Sequence, residues 1–170
     1  MCTKNPICPF GTFEESSIGD PVSFMRMAYN EALKAWQEDE IPVGVVAVFE
    51  GKVMARNHNR VEQLKNVMAH AEMLVLREIS RILDSWRLTG VTLYVTKEPC
   101  PMCAGAIFKS RVRKVFVGVS DLQQGCLGGR LDFNLDLALH HTLEVRYVPL
   151  GGACEDLIKT YFRLRRGEIS

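Results

Sequence analysis

The segment Glu98-Pro99-Cys100-Pro101-Met102-Cys103 is the most informative stretch of the 170-residue chain. Cys100 and Cys103 are three positions apart, so in a helix their side chains share one face and two thiolates can bind one ion. Pro101 is tolerated at the first position of a helix, where its missing N–H needs no partner. The positive end of the helix dipole lowers the pKa of a thiol in that turn. The spacing therefore predicts a helix that begins at the two cysteines and presents them to a metal.

The segment His70-Ala71-Glu72 supplies the residue types that the cysteine pair lacks. A catalytic zinc site typically has three protein ligands and leaves its fourth position to water, and His70 completes such a set with the two cysteines. Glu72 then lies outside the ligand set, where a carboxylate beside the metal suits proton transfer. We therefore predict one Zn²⁺ per chain, with His70, Cys100 and Cys103 as metal ligands and Glu72 as the catalytic residue.

Helix geometry restricts how His70 and Glu72 cooperate. Residues two positions apart on an ideal helix point about 200° apart, so Glu72 reaches the metal only if His70 lies at the very start of the helix. The alternatives are structural: His70 as a core histidine bonded to a carbonyl, and Glu72 as an acid that complements the dipole of a helix start.

Composition and charge fit one ordinary globular domain. Hydrophobic residues make up 47% and charged residues 24% of the 170 residues, a length that can bury a core. The net charge of +1 does not by itself indicate a nucleic-acid partner. No apolar run reaches the roughly 18 residues of a membrane span, and the N-terminus lacks the apolar core of a signal peptide. We therefore expect a cytoplasmic protein without a membrane partner, with its cysteines reduced.

Hydrophobic periodicity and turn signals predict strands that alternate with helices after one hairpin. This order is typical of an α/β fold, here a five-stranded mixed sheet with helices on both faces, which makes a three-layer α/β/α sandwich. We expect residues 1–19 to form a poorly ordered tail before a domain of residues 20–170. The predicted elements are a helix from 20 to a charged stop at 37–40, strands 43–49 and 53–56, a polar loop 57–68, helix 70–83, strand 91–96, a helix from 100 to 108, strand 115–119, a mobile glycine-rich loop 120–130, strand 143–149 and helix 153–166. Strand 43–49 should be buried on both faces, and helix 70–83, which is apolar on more than one side, should be well buried.

Several further segments support one interpretation of the metal motif. They are Pro42-Val43-Gly44, Asn59, 69–72, 92–96, 98–106, Ser110-Arg111 and 162–166. The pairing of His-x-Glu with Pro-Cys-x-x-Cys is the known signature of the zinc-dependent base deaminases. With these segments the chain resembles the bacterial tRNA-specific adenosine deaminases of the cytidine and deoxycytidylate deaminase superfamily, over nearly all of residues 23–166.

The resemblance implies a cytidine-deaminase-like fold, a homodimer, and a tRNA anticodon stem-loop as the partner. It also implies hydrolytic deamination of adenosine to inosine at the wobble position, by zinc-activated water with Glu72 as the proton shuttle. Residues 20–170 would then form a zinc-dependent deaminase domain. The residues that the resemblance implies are Asn59, Ala71, Pro99 and Asp121 for substrate binding, and Phe162, Arg163, Arg165 and Arg166 for RNA binding.

Three positions depart from the pattern of that family. Asn66-Val67 stand where the family usually has Asp-Pro, Ser120-Asp121 where it commonly has Arg-Asp, and Lys97 where it tends to have an apolar residue. All three lie at the rim expected for the substrate, so they bear on substrate choice more than on the reaction.

Two other functions fit the zinc motif. One is deamination of a free base or nucleoside of the guanine or cytosine type, which would not need a cationic, aromatic-tipped segment at 162–166. The other is a non-catalytic zinc module that serves as a scaffold, which would not need Glu72.

Overall fold

The structure, a computed structural model, describes residues 8–15, 19–136, 141–148 and 150–169. Within these ranges the chain forms strands and helices in the alternation that the sequence predicts. The strands are β1 (Gly44–Phe49), β2 (Lys52–His58), β3 (Val91–Lys97), β4 (Lys114–Val119) and β5 (Glu144–Tyr147). The helices are α1 (Pro21–Gln37), α2 (Val61–Leu64), α3 (Ala71–Ile82), α4 (Pro101–Lys109), α5 (Phe133–Asp136) and α6 (Gly151–Arg165).

The strands form one sheet in the order β2-β1-β3-β4-β5. β1 runs antiparallel to β2 and β3, whereas β3, β4 and β5 are parallel, which confirms the predicted mixed sheet. Parallel neighbours need a crossover, and α4 supplies it between β3 and β4. The carboxyl ends of these two strands therefore meet at one edge, where the N–H of Glu98 donates to the carbonyl of Val119 at 2.9 Å.

Helices cover both faces of the sheet, which confirms the three-layer sandwich. Neighbouring side chains of a strand point to opposite faces. Val45 accordingly packs in a cluster with Ile79 of α3 and residues of α4, while Val46 packs with Met25 of α1. α6 joins the second layer, since Leu157 packs in one cluster with residues of α1. β1 is thus buried on both faces, as the sequence predicts.

Helix α1 begins and ends where the sequence predicts, from the cap at Asp20 to Gln37. The Asp20 carboxylate accepts hydrogen bonds from the backbone N–H groups of Val22 at 2.8 Å and Ser23 at 3.0 Å, and so caps the helix. The charged residues at 37–40 are more than a stop signal. Asp39 adopts a left-handed φ of 66°, the chain turns, and Glu40 lies inside with 1% of its surface exposed.

The segment predicted as a polar loop, 57–68, is more ordered and more buried than its composition indicates. β2 continues to His58, and α2 follows. His58 is 7% and Asn59 is 6% exposed. Their side chains bond to Glu31, Glu38 and Glu40, which lie 19 to 27 positions away in the sequence. Local composition carries no signal of such distant partners.

Helix α3 is less buried than the sequence predicts. Val75 and Ile79 face the sheet, but Ile82 at the last turn is 46% exposed. The apolar residues of this helix cover more than one side, and only one side meets the sheet. The prediction of a well-buried helix therefore holds for a single face.

Part of the predicted tail lies against the domain. Phe13 packs edge-on against Tyr29 of α1 with ring centroids 4.9 Å apart, and its N–H donates to the side chain of Asn30 at 2.8 Å. Residues 1–7 and 16–18 lie outside the described residues, and the boundary at residue 20 stays a prediction. In the parts of the chain that are described, no helix combines the length and apolarity of a membrane span.

Candidate metal centre and substrate groove

The three predicted ligands lie at the starts of two helices. His70 is the N-cap residue of α3 and Cys100 that of α4, both with extended backbone, at ψ of 149° and 173°. Pro101 follows as the first helical residue, as predicted, and Cys103 lies in the same opening turn. Two helix N-termini therefore meet at this point, and their dipoles favour negative charge there.

The ligand atoms are close enough to share one ion. Nδ1 of His70 lies 3.7 Å from Sγ of Cys100 and 3.5 Å from Sγ of Cys103. All three atoms lie within 4.8 Å of one another, and this is the one group of potential metal ligands found among the described residues. Tetrahedral zinc, with Zn–S of about 2.3 Å and Zn–N of about 2.0–2.1 Å, needs ligand atoms about 3.6 Å apart. The observed spacing fits zinc.

Electrostatics prepares Cys100 as a ligand. Hydrogen bonds from Cys103 and His70 outweigh burial and lower the pKa of Cys100 to about 4. Cys100 is therefore a thiolate at neutral pH, the form that binds metal. The same contact with Cys100, together with burial, raises the pKa of Cys103. A divalent cation between the two sulfurs favours both thiolates, because it attracts each negative charge.

Glu72 lies in the first turn of α3 with 4% of its surface exposed. Because His70 is extended rather than helical, the opposite faces of an ideal helix do not separate the two residues. The Glu72 carboxyl is in hydrogen-bonding contact with the thiol of Cys103, and burial is the main cause that raises its pKa. A carboxyl with a raised pKa can accept and donate a proton closer to neutral pH than a solvated acid.

Glu98 ties the glycine-rich loop after β4 to the start of α4. Its carboxylate is 2% exposed and accepts four hydrogen bonds of 2.8–2.9 Å, two on each oxygen. A Cβ on Gly129 would lie 2.4 Å from this carboxylate, so the loop needs glycine there. The sequence predicts a mobile loop at 120–130, whereas Glu98 holds it beside the metal ligands. The donors are Ser120 Oγ and the backbone N–H groups of Asp121, Leu127 and Gly129.

The positions that depart from the family pattern have structural partners. Lys97, at the end of β3, forms an ion pair with the carboxylate of Asp121. Burial acts to raise the pKa of Asp121, but its bonds to Lys97 and to loop N–H groups lower it. Asn66 closes the turn before α3, since its side-chain oxygen accepts the N–H of Met68 at 3.0 Å. The rim therefore has a cation, which comes from β3 rather than from the loop.

An open groove of about 1580 Å³, which we call the site groove, lies over the ligand cluster. Its walls are the segment after α1, α2, the loop after β4 and the last turns of α6. The four predicted RNA-binding residues, Phe162, Arg163, Arg165 and Arg166, all line it. Arg165 is ion-paired with Asp39 and Arg166 with Glu168. RNA phosphates would therefore have to displace carboxylates from these arginines, and their contact with RNA stays a prediction.

The predicted substrate-binding residues lie at different depths around the ligands. Asn59 and Asp121 line the site groove. Ala71 is fully buried in the first turn of α3, and Pro99 is buried just before α4. Contact of these four residues with a substrate stays a prediction.

Three buried acids behind the site groove were not predicted from the sequence. Glu31, Glu40 and Glu98 are 4%, 1% and 2% exposed, although glutamates are rarely buried to this extent. Glu98 carried the only local signal, its position directly before Pro99-Cys100. Glu31 has one local partner, Lys34 three positions on, but its bond to His58 and the bonds of Glu40 form only when the chain folds.

The model of the cytidine and deoxycytidylate deaminase zinc-binding region matches residues 20–119. The match spans more than half of the chain and includes the ligand cluster and Glu72. The chain belongs to this family of deaminases, and Zn²⁺ is its cofactor.

Within the family, the chain is similar to the tRNA-specific adenosine deaminases. The protein of that name from Bacillus subtilis strain 168 is 44% identical over 140 residues, which cover 82% of this chain and 87% of the relative. A structure from a study of A-to-I editing by tRNA:A34 deaminases at the wobble position of transfer RNA matches with a TM-score of 0.72 and 40% identity, over 75% of this chain and 98% of that one. These findings confirm the resemblance and the cytidine-deaminase-like fold.

A further match concerns the fold alone. The guanine deaminase from Nitrosomonas europaea has a TM-score of 0.73 over 94% of this chain and 96% of its own, but only 23% identity. The same architecture therefore supports a small-molecule substrate in another protein, so the substrate must be argued from the site.

Proposed function

We propose that the protein hydrolyses the amine of adenosine at the wobble position of a tRNA anticodon and so produces inosine. One observation carries the proposal: a Cys-Cys-His cluster with zinc spacing and a buried Glu72 lie together under an open groove of about 1580 Å³. The 44% identity to a tRNA-specific adenosine deaminase supports the same substrate.

Glu72 is the residue that moves protons in this reaction. A zinc ion held by His70, Cys100 and Cys103 would supply a water molecule that ionises near neutral pH. Glu72 accepts the first proton of this water, whose oxygen bonds to the amine-bearing ring carbon, and delivers that proton to the adjacent ring nitrogen. It then passes the second proton from the new hydroxyl to the amine. The carbon–nitrogen bond breaks, ammonia leaves, and a carbonyl remains. A pKa raised by burial suits a carboxyl that both accepts and donates.

The dimensions of the site groove favour a macromolecular substrate. Small-molecule pockets typically measure about 300–1000 Å³, whereas this groove measures about 1580 Å³. Phe162 on its outer side is half-buried, with Arg163 and Arg166 exposed next to it. An aromatic ring can stack on an unpaired base, and arginines can bind the backbone phosphates. These features argue against a free base or nucleoside as the main substrate.

We also propose that the protein forms a homodimer. Ile82 lies 46% exposed on α3, beside a shallow groove that Leu74 and Arg81 also line. A second copy would cover this apolar surface and so complete the burial that the sequence of α3 predicts. Ile82→Glu should then convert a dimer to a monomer in analytical ultracentrifugation, and a monomeric wild type would contradict the proposal.

We place the protein in the cytoplasm, the compartment in which a tRNA-modifying enzyme meets its substrate. None of the cysteines in the described ranges forms a disulfide, which suits a reducing compartment. They are Cys8, Cys100, Cys103, Cys126 and Cys154.

The direct test is deamination of defined RNAs by the zinc-loaded protein. An anticodon stem-loop with adenosine at the wobble position should gain one mass unit, detected by mass spectrometry, as its amine becomes a carbonyl. Matched stem-loops with cytidine or guanosine at that position should not change. Free adenosine, guanine and cytosine are tested in parallel, and conversion of any of them as fast as the stem-loop would contradict the tRNA substrate. Failure to convert every one of these substrates would contradict the enzymatic function.

A further inference from the structure

A buried hydrogen bond in the wall of the site groove has no role in the proton transfers described above. Nδ2 of Asn59 donates to Oε2 of Glu40 at 3.0 Å, and both residues line the groove. The other oxygen of Glu40 accepts the backbone N–H of Gln63 at 2.7 Å. One carboxylate thus joins the end of β2, where Asn59 lies, to the first turn of α2.

The placement of Glu40 runs against the usual distribution of polar and apolar residues. Glu40 is 1% exposed, while its neighbour Ile41 is 40% exposed. Burying an acid costs stability unless its hydrogen bonds are satisfied, and exposing an aliphatic side chain gives up burial that would stabilise the fold. Such an inversion is expected where the buried group serves a site.

Glu40 determines which way the Asn59 amide faces. A carboxylate can only accept hydrogen bonds, whereas the Asn side chain has a donor end and an acceptor end. The NH₂ group must therefore face Glu40, which leaves Oδ1 and the second N–H of Asn59 for other partners. Without the acid, the last torsion of the side chain is broad and roughly two-fold, so the amide could present its two ends in either order.

We infer that Glu40 is a positioning residue that orients the Asn59 amide for recognition of the adenine base. An amide edge with one donor and one acceptor matches a ring nitrogen and the exocyclic amine of adenine. Guanine presents two acceptors on the corresponding edge, so an amide held in one orientation favours adenine. The inference rests on the proposed function, because it takes adenosine as the substrate.

The test is a double-mutant cycle on the zinc-loaded protein with the adenosine stem-loop. Glu40→Gln keeps the size of the side chain but can offer Asn59 either a donor or an acceptor. We expect KM to rise about tenfold, the effect of one lost charge-assisted hydrogen bond, with kcat changed less and with one zinc retained per chain. Asn59→Ala should have a similar effect. The double variant should be no worse than Asn59→Ala, because Glu40 acts through Asn59.

A matched control is Glu144→Gln, which removes a partly exposed carboxylate of β5 that pairs with Lys114, lies outside the site groove and should leave KM unchanged. Additive effects of Glu40→Gln and Asn59→Ala would overturn the inference and assign Glu40 to anchoring α2. An unchanged KM in Glu40→Gln would overturn it as well. Full activity of Asn59→Ala would overturn both the inference and the base contact, while the wild type still edits the stem-loop. A wild type inactive on the stem-loop would overturn the proposed function together with the inference that depends on it.

Discussion

The two walls of the site groove are built in different ways. The inner wall consists of the ligand cluster and Glu72, which come from the opening turns of α3 and α4 and are held by the packed core. The outer wall, formed by the last turns of α6 and the segment after α1, carries surface ion pairs such as Arg165–Asp39. The inner wall is organised before substrate arrives, whereas the outer wall must exchange partners when a polyanion binds. Substitutions in the inner wall should therefore have large effects on turnover, whereas substitutions in the outer wall should have smaller effects on RNA binding.

The largest effect should come from Glu72 on the inner wall. Glu72→Gln keeps the side-chain size and removes the proton transfer, so turnover of the adenosine stem-loop should fall by about 10²–10⁴-fold. Zinc content by elemental analysis should stay at one per chain, because Glu72 lies outside the ligand cluster. Cys103→Ser is the contrasting variant and should lose the metal. Loss of zinc in Glu72→Gln would instead place this residue among the ligands.

The next effect concerns Glu98, which links the inner wall to the loop after β4. Glu98→Gln places an amide NH₂ against two of the four donors, and we expect the free energy of unfolding to fall by about 3 kcal/mol. Gly129→Ala should destabilise as well, because its Cβ would meet the same carboxylate at 2.4 Å. Gly152→Ala, where a Cβ meets nothing within 4 Å, is the matched control. Chemical denaturation measures all three, and equal stability of Glu98→Gln and wild type would show that the loop does not depend on this carboxylate.

The difference between the walls also explains what the sequence could predict. The ligand cluster has local signals, since Cys100 and Cys103 are spaced for one helix face and Pro101 marks the helix start. The sheet was predictable because its apolar strands alternate with helical segments. Glu40 had no such signal, since its partner Asn59 lies 19 positions away and a glutamate after a helix is normally exposed. The pairing of Arg165 with Asp39 spans 126 positions, so only the folded chain shows it.

Substitutions in the outer wall should change the affinity for the stem-loop moderately. If Arg165 binds an RNA phosphate, Arg165→Ala should weaken stem-loop binding about tenfold and make the slope of log K against log salt shallower by about 0.7. Asp39→Asn should tighten binding, because it removes the carboxylate that competes for Arg165. Asn suits this position, since it tolerates the left-handed φ of 66° better than most residues. Fluorescence anisotropy at several salt concentrations measures both.

Combining Arg165→Ala with Asp39→Asn tests whether Asp39 and an RNA phosphate compete for Arg165. In the Arg165→Ala background, Asp39→Asn should no longer tighten RNA binding by much, because the arginine for which Asp39 and RNA compete is absent. A gain of the same size in both backgrounds would mean that Asp39 acts on RNA by general repulsion. The ion pair would then be a structural feature of the outer wall rather than a contact that RNA replaces.

The smallest effect is a pH dependence at His58, the last residue of β2, whose neighbour Asn59 lines the site groove. Burial acts to lower the pKa of His58, but hydrogen bonds of 3.1 Å to Glu31 and to Glu38 outweigh it and raise the pKa. A raised folded pKa means that this contribution to stability is fully present below the unfolded value of about 6.5 and is lost as pH rises through the folded pKa. The pKa of Glu31 is lowered, mainly by His58 and Lys34 against the effect of burial, so its own contribution is lost as pH falls into the acid range.

His58→Gln should therefore cost about 1 kcal/mol near pH 6 and less as pH rises, measured by urea unfolding at each pH. A cost that does not change with pH would mean that the imidazole is neutral between its two acids, and that the link from α1 to Asn59 does not depend on its charge.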